Sequence, residues 1–326
     1  MDSSKAQVVS ESPVTSLPDP VVNEQAASQD LGFSLSWRVV LGLAIGTSLS
    51  LLLLPVAARG VSLKQVWVRL SLARPGWVAL TVLAVLLTTV AKLVRWRSLV
   101  NTDERPSFWQ LGRALMIGKS LNALLPARIG DLARIYVAGE GQQVSRATLL
   151  GTLAAEKAFD MVFFLAAGAL ALVLVSLPSW LNLPLVGGTA GGFLLVLLAL
   201  AWPQRRLTAW IGQCTRHLPL GLSQWLPRFA QRALSGLTAL RDPRMAGIAG
   251  LWSAAIWALA ASTNALLFRA FGLDLELGGA LLLLVVLYAG VAPPTSPGRL
   301  GIFHTLTALT LEAMGIDRAL GLAYAT

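Results

Sequence analysis

Charge is scarce in this sequence of 326 residues: 13% are Asp, Glu, Lys or Arg, while 55% are hydrophobic. An average soluble domain carries about 25% charged residues. A soluble chain of this length could not hide so much apolar surface behind so few charges, and the mean hydropathy of +0.67 points the same way. The shortage excludes a disordered chain, a coiled coil and an ordinary cytosolic enzyme. Cysteine is almost missing. The single Cys214 excludes an intramolecular disulfide and a cysteine-based metal cluster. With only His217 and His304, far apart in sequence, no histidine-rich metal or haem site is expected, and no cofactor. Bases are rare in the first 36 residues, which hold Lys5 against Asp2, Glu11, Asp19, Glu24 and Asp30. A cleaved signal peptide needs a basic start and an early apolar core. Residues 1–36 are therefore expected to form a disordered acidic cytoplasmic tail. The G-x-x-x-x-G-K-[ST] pattern of a phosphate loop is also absent, so ATP is not the expected energy source.

What the sequence does have is long charge-free runs. A bilayer core takes about 20 apolar residues of helix. Val39 to Ala58 is one such run, and Pro75 to Ala91 is a second, whose helix continues to Arg97. Met161 to Gln204 carries no charge at all and is divided into two spans by Pro178 and Pro184. Met245 to Phe268 and Leu277 to Gly298 bring the total to six candidate spans. The net charge of +10 would suggest nucleic acid in a soluble chain. In a membrane chain it reads as the excess of Lys and Arg on the cytoplasmic side, and no nucleic-acid partner is expected.

Arg205, Arg206, Arg216, Arg228, Arg232, Arg241 and Arg244 face one acid, Asp242, across residues 203–245. That stretch is expected to be cytoplasmic, as is the one holding Lys92, Arg95, Arg97, Arg105 and Arg113; the N-terminus is then inside. Apolar residues at helical spacing (Leu207, Trp210, Ile211 and Cys214, then Leu226, Phe229, Ala233 and Leu237) make 203–245 an amphipathic surface segment or, alternatively, a solvated loop. Loop 59–76 is a misfit, because Arg59, Lys64, Arg69 and Arg74 fall on the outer side. Leu63, Val66, Trp67 and Leu70 recur at helical spacing there, so an interfacial helix is expected.

Two apolar regions are broken by polar and helix-breaking residues. Trp109 to Arg134 contains Gly118, Lys119, Asn122, Pro126, Arg128, Gly130 and Asp131. Val291 to Glu312 contains Pro293, Pro294, Pro297, Gly298, Arg299 and Gly301. Non-helical backbone at membrane depth survives only where protein or a water-filled cavity covers it, so both regions are expected to be re-entrant. They share the pattern Pro-x-Arg-aliphatic-Gly, at Pro126 to Gly130 and at Pro297 to Gly301. Such interrupted segments in two halves of a chain point to a transporter's binding site; the alternative is two unrelated cytoplasmic turns. Arg128 and Arg299 can each hold a phosphate through a bidentate fork. A third polar feature lies inside the apolar run Thr148 to Ser176. Glu156 and Asp160 are spaced i, i+4 on one helix face with Lys157 beside them, and they are expected to pair with Arg128, Arg134 or Arg299. Their role is open between a transport path and a purely structural ion pair. Asn264 and Glu312 are weaker candidates of the same kind.

These residues resemble a known family. Asn122, Pro126, Arg128, Gly130, Asp131 and Arg134, followed by Glu156, Lys157 and Asp160, are similar to its pattern of Asn, a Pro-x-Arg-x-Gly-(Glu/Asp) turn and a later Glu-(Arg/Lys) with Asp. Ser296, Pro297, Gly298 and Gly301 resemble its second signature, Ser-Pro-Gly-x-x-Gly. The family is the lysylphosphatidylglycerol synthase transmembrane region, also called the flippase-like domain, and the resemblance covers about residues 37 to 326. It implies an integral protein of the bacterial or archaeal cytoplasmic membrane. In the multiple peptide resistance factor this domain is regarded as moving aminoacylated phosphatidylglycerol between leaflets, and other relatives are linked to polyprenyl-linked sugars. No aminoacyl-transferase domain follows in this sequence, so synthesis of the lipid is not implied. The chain ends at Gly315 to Thr326, where the resemblance places the start of a final helix, so a chain cut short is expected.

The fold expected is therefore an all-α transmembrane bundle of residues 37–326, with two related halves and re-entrant helices. The expected function is movement of an anionic lipid headgroup between leaflets. Arg128 and Arg299 would hold the phosphate, and Glu156, Lys157 and Asp160 would line the path. Asn122, Asp131, Arg134 and Ser296 would support them, and Pro126, Gly130, Pro297, Gly298 and Gly301 would shape the breaks. Membrane lipids are the expected partners, with an enzyme of lipid or glycan synthesis as a further one. The rivals are a membrane-embedded transferase and a non-catalytic subunit of a synthesis complex.

Overall fold

A backbone that crosses hydrocarbon must satisfy its own N–H and C=O groups, and a helix does this within one segment. The computed structural model of the chain is helical accordingly, and no strand occurs among the described residues. These are residues 61–100, 106–124, 129–140, 144, 146–175, 186–192, 242–291 and 301–326, with Ser48, Leu52, Pro55 and Gln213 as isolated positions. All of them belong to one compact unit, Leu41–Thr326. The expected acidic tail, almost all of the first span, the second half of the 161–204 run apart from residues 186–192, and nearly all of the amphipathic stretch 203–245 lie outside the described residues.

Among the described residues three helices are long and apolar enough to cross a membrane: α2 (Pro75–Leu99), α5 (Arg146–Leu174) and α6 (Pro243–Ala270). Before them stands α1 (Leu63–Ser71). Between α2 and α5 lie α3 (Phe108–Leu124) and α4 (Ile129–Ala138), and after α6 come α7 (Leu277–Gly290), α8 (Ile302–Ala313) and α9 (Arg318–Ala325). The break expected near Pro126 thus falls between α3 and α4, and the one expected near Pro297 falls between α7 and α8. The span expected over Leu277 to Gly298 is shorter as a helix: α7 stops at Gly290 after 14 residues, ahead of Pro293 and Pro294, which lack the N–H that a continuing helix needs. A short helix, α9, starts where the resemblance placed a final one.

Helix α2 pairs along its length with α6, and the two run antiparallel. The Arg74 N–H donates to Ala270 O at 2.8 Å at one end, while Leu99 packs with Ala249 at the other. The stretch that follows α2 and the arginine-rich one that precedes α6 therefore attach at the same end of the pair. Helix α5 fits beside them through small residues, with Ala91 of α2 packed among Ala167 and Ala171 of α5 and Ala261 of α6. Small side chains let helices approach closely where hydrocarbon gives no hydrophobic drive to associate. The opposite side of α2 presents Leu80, Val82, Leu83, Leu86 and Val90, each roughly half exposed. A run of that kind on a water-facing surface would be an aggregation liability, and on a lipid-facing surface it is at home.

The paired helices α3/α4 and α7/α8 are each antiparallel. Gln110 at the start of α3 donates to Ala138 O and Glu140 O at the end of α4. Likewise Gly279 at the start of α7 lies against Met314 just after α8, and Gly290 lies against Leu306. Gly278, beside it, touches Leu174 at the end of α5. The α3/α4 pair is thus rooted near the end of α2, and α7/α8 near the end of α5. Those two ends are opposite, because α5 runs antiparallel to α2, with Leu149 packed near Val100 and Ala171 near Ala91.

Helix α1 opens with a capping box: the Gln65 N–H donates to Ser62 Oγ, and the Ser62 N–H donates to Gln65 Oε1 at 2.8 Å. Val66 packs on Ala308 and Leu322, while Trp67 is 70% exposed. The helix expected at 63–70 is therefore present.

Glycine is required at two of the breaks. Gly301 precedes α8 with φ of +80°, a region that side chains disfavour. Gly130 lies against Gly118 at the α3/α4 crossing, where a Cβ on Gly118 would come within 2.8 Å of Gly130 O and a Cβ on Gly130 would strike Gly118 O and Asn122. Gly130→Ala should destabilise the detergent-solubilised chain by about 1–3 kcal/mol, whereas Gly247→Ala, in open space on α6, should not. Thermal unfolding of the two variants side by side checks this.

Candidate functional site

Ionisable residues in an apolar bundle must find partners, because the surrounding medium does not solvate them. Helices α2, α4 and α5 each bring such residues to one place. On α5, Glu156 and Asp160 share a face, and Arg95 of α2 meets both: its Nη2 lies 3.0 Å from Glu156 Oε1 and its Nη1 2.7 Å from Asp160 Oδ1. Arg95 is fully buried. Its Nη1 also donates to Ser253 Oγ of α6 at 2.9 Å, and that hydroxyl donates to Ala249 O. One guanidinium thus joins the three long helices.

Glu156 uses its second oxygen for Arg134 of α4, with Oε2 2.7 Å from Nη2. The Arg134 guanidinium stacks over Trp96, 4.9 Å from the ring centroid, a position that favours a cation through the ring's quadrupole. Trp96 is held in turn, since its Nε1 donates to Thr152 Oγ1 at 3.1 Å. Asp131 closes the chain. Its Oδ2 lies 3.2 Å from Lys157 Nζ, its Oδ1 lies 3.9 Å from Arg134 Nε, and its Oδ1 accepts from Asn122 Nδ2 at 3.1 Å.

The network borders a cavity of ≈530 Å³. Asn122, Asp131, Arg134, Glu156, Lys157 and Asp160 line one side, together with Lys92 and Lys119. Leu115, one turn before Lys119 on α3, joins them, and Leu284, Leu287, Tyr288, Val291 and Phe303, from α7, its end and α8, line the rest. Tyr288 stacks with Phe164 and Trp257, at centroid distances of 5.3 and 5.2 Å. The cavity is therefore charged on one wall and apolar on the other. Its lining comes from both helix pairs: Asn122 and Ala123 lie at the end of α3, Val291 follows α7, and Phe303 begins α8.

Six of the expected site residues are thus brought together. Glu156 pairs with Arg134, one of the three partners expected for it. Gly130 and Gly301 sit at the helix starts just described. Arg128, Arg299, Ser296, Pro126, Pro297 and Gly298 lie outside the described residues. Asn264 and Glu312 are elsewhere: Asn264 donates to Ala280 O and accepts from Tyr324 Oη, both at 3.1 Å, and Glu312 meets Arg318 at 3.7 Å.

Sequence reasoning missed Arg95 and Lys92, which were counted among the cytoplasmic bases after the second span. The helix was expected to reach Arg97, so both already lay inside it, three residues apart and hence on one face. That spacing was the signal. Ser253 carried none, being one hydroxyl in an apolar helix.

A family model described as Lysylphosphatidylglycerol synthase TM region matches residues 39–326. No curated protein and no solved structure matches the chain.

Arg95→Gln strands the buried Asp160, leaves Glu156 with Arg134 alone, and should lower stability by about 3–5 kcal/mol. Arg269→Gln removes an exposed pair with Asp274 at 3.6 Å and should change it by at most about 1 kcal/mol. Unfolding of both variants in mild detergent is the measurement, and equal small losses would remove Arg95 from its central place.

Proposed function

The chain belongs to the lysylphosphatidylglycerol synthase TM region family, and from that premise we propose that this integral membrane protein moves an anionic phospholipid or polyprenyl-phosphate-linked headgroup between leaflets. The observation that carries the reading is the cavity itself. Its charged wall suits a headgroup and its apolar wall suits the start of an acyl or prenyl chain. Two helix pairs rooted at opposite ends of the bundle both reach it, which fits re-entrant segments entering from the two sides of a bilayer.

Arg128 and Arg299 lie in the connections between the paired helices. Each follows a proline and precedes the first residues of a helix, whose free N–H groups also favour an anion. These two arginines hold the phosphate in this reading. Glu156, Asp160, Arg134 and Lys157 act as a fixed, mutually paired frame beside the path, and Asn122 and Asp131 position Arg134 and Lys157. The cytoplasmic side is the end at which the stretch 203–241 attaches, since that stretch holds six arginines and no acid. The N-terminus then lies in the cytoplasm of a bacterial or archaeal cell.

Reconstitution into liposomes with headgroup-labelled phosphatidylglycerol tests the reading. The chain should speed movement between leaflets, and Arg128→Ala and Arg299→Ala should each slow it by about tenfold or more, equivalent to about 1.4 kcal/mol. Unchanged rates in folded variants would refute the arginine roles, and no acceleration by the unaltered chain would refute transport.

A further inference from the structure

The ion network is balanced within itself. Arg95, Arg134 and Lys157 face Asp131, Glu156 and Asp160, three cations against three carboxylates. Lys92 and Lys119 line the same cavity and are left over. Among the described residues Lys92 has no carboxylate at ion-pair distance and no hydrogen bond. Lys119 has one bond, from Nζ to Thr89 Oγ1 at 2.6 Å. Thr89 gives its own hydroxyl proton to Val85 O at 3.0 Å, so it acts on Lys119 as an acceptor. Thr89 and Lys92 are three residues apart on α2 and therefore neighbours on its surface. An ammonium has three N–H donors. Among the described residues this wall thus offers two lysines whose N–H donors, but for that one bond, are unspent, at the edge of an apolar bundle. The two lysines also sense each other. Desolvation first, and the Lys92 charge second, hold the Lys119 ammonium down at about 8.

A phosphate is the anion that fits, since it takes several donors at once and its negative charge can be shared between the two lysines. It can come from a lipid or from free phosphate, and the surroundings favour a lipid. Thr89 and Leu115 line a second pocket of ≈380 Å³, walled mainly by Val90, Leu93, Trp109 and Met116, with Arg113 as its one charged lining residue. Leu115 borders both spaces, so a phosphate at the lysines has an apolar groove beside it that can hold one hydrocarbon chain.

We infer that Lys92 and Lys119 form a phosphate site in addition to Arg128 and Arg299, and that it takes a lipid-borne phosphate whose chain lies along the groove between α2 and α3. The inference specifies the ligand of the proposed transport cavity and rests on that reading for the location, but binding can be measured without transport.

The full chain in non-ionic detergent is titrated with dihexanoylphosphatidylglycerol, dihexanoylphosphatidylcholine and inorganic phosphate at pH 7. The anionic lipid should bind most tightly. Lys92→Gln and Lys119→Gln should each weaken it by about tenfold or more, while Lys92→Arg and Lys119→Arg should retain most of the affinity. Thermal unfolding of the Gln variants shows whether they are folded, and the Arg variants carry the test if they are not. Affinity should fall as the pH rises past about 8, because Lys119 is charged below that point and neutral above it, and Lys119→Arg should reduce the fall. Besides Lys119, the ionisable groups among the described residues lining the cavity are Lys92, Asp131, Arg134, Glu156, Lys157, Asp160 and Tyr288. Equal binding by the unaltered chain and both folded Gln variants would overturn the site. Inorganic phosphate binding as tightly as the anionic lipid would overturn the lipid source. Lysine-dependent binding by a chain that moves no lipid in liposomes would sink the transport reading and leave the site standing; transport with unaffected binding in the lysine variants would do the reverse.

Discussion

A guanidinium buried in an apolar bundle loses its hydration, and the loss is several kcal/mol unless carboxylates and further acceptors replace the water. Arg95 meets that condition with Glu156, Asp160 and Ser253 together. Because these partners come from α5 and α6 while Arg95 belongs to α2, the three long helices cannot separate or slide without uncovering charge. Hydrocarbon outside the bundle offers no hydrophobic drive to hold them. The directional contacts at Arg95, with the close alanine packing at Ala91, Ala167 and Ala171, therefore carry a larger share of the cohesion than they would in a soluble core.

The same constraint propagates outward. Glu156 has two oxygens, and once one is given to Arg95 the other can recruit Arg134, which brings α4 onto α5. Arg134 then needs the Trp96 face and Asp131, and Asp131 recruits Lys157 and Asn122. Asn122 lies at the end of α3 beside the Gly118–Gly130 crossing, so the α3/α4 pair is fixed at both its polar and its glycine contacts. Among its described residues the apolar α7/α8 pair has no counterpart to this ion network. Its position depends on packing with Leu281, Leu282 and Val285 turned to the α2, α5 and α6 side and on Asn264 bridging to Ala280 O and Tyr324.

Hydropathy made the long helices readable, because 25 to 29 residues of unbroken apolar helix have few other readings. Pro126 and the Pro293/Pro294 pair made the breaks readable for a similarly local reason, the lost N–H. The paired face of Glu156 and Asp160 was also visible from spacing alone. What spacing could not give was their partner. Lys92 and Arg95 look like terminal anchors, since Arg97 and Arg105 follow at once, and only the depth at which α5 crosses α2 separates a buried cation from an anchoring one. That depth is set by long-range packing between residues more than 60 apart in sequence. The end of α7 was misjudged because apolar sequence continues past Gly290 to Val291, so hydropathy does not register the stop.

The balance of the network bears on how a charged headgroup could pass. Carboxylates already committed to arginines do not repel an incoming phosphate as free ones would, and arginines committed to carboxylates do not trap it. Arg95 and Arg134 are planar forks, each held by carboxylate contacts, which leaves them little freedom to turn toward a ligand. Lysine differs, since its charge sits on a flexible stem with rotatable donors. A site that must bind and then release is better served by such groups, because attraction without a rigid multidentate grip lets an ion leave as well as enter. The division between a locked arginine–carboxylate frame and two lysines facing open space thus separates the charges that hold the fold from those available to a ligand, within one cavity.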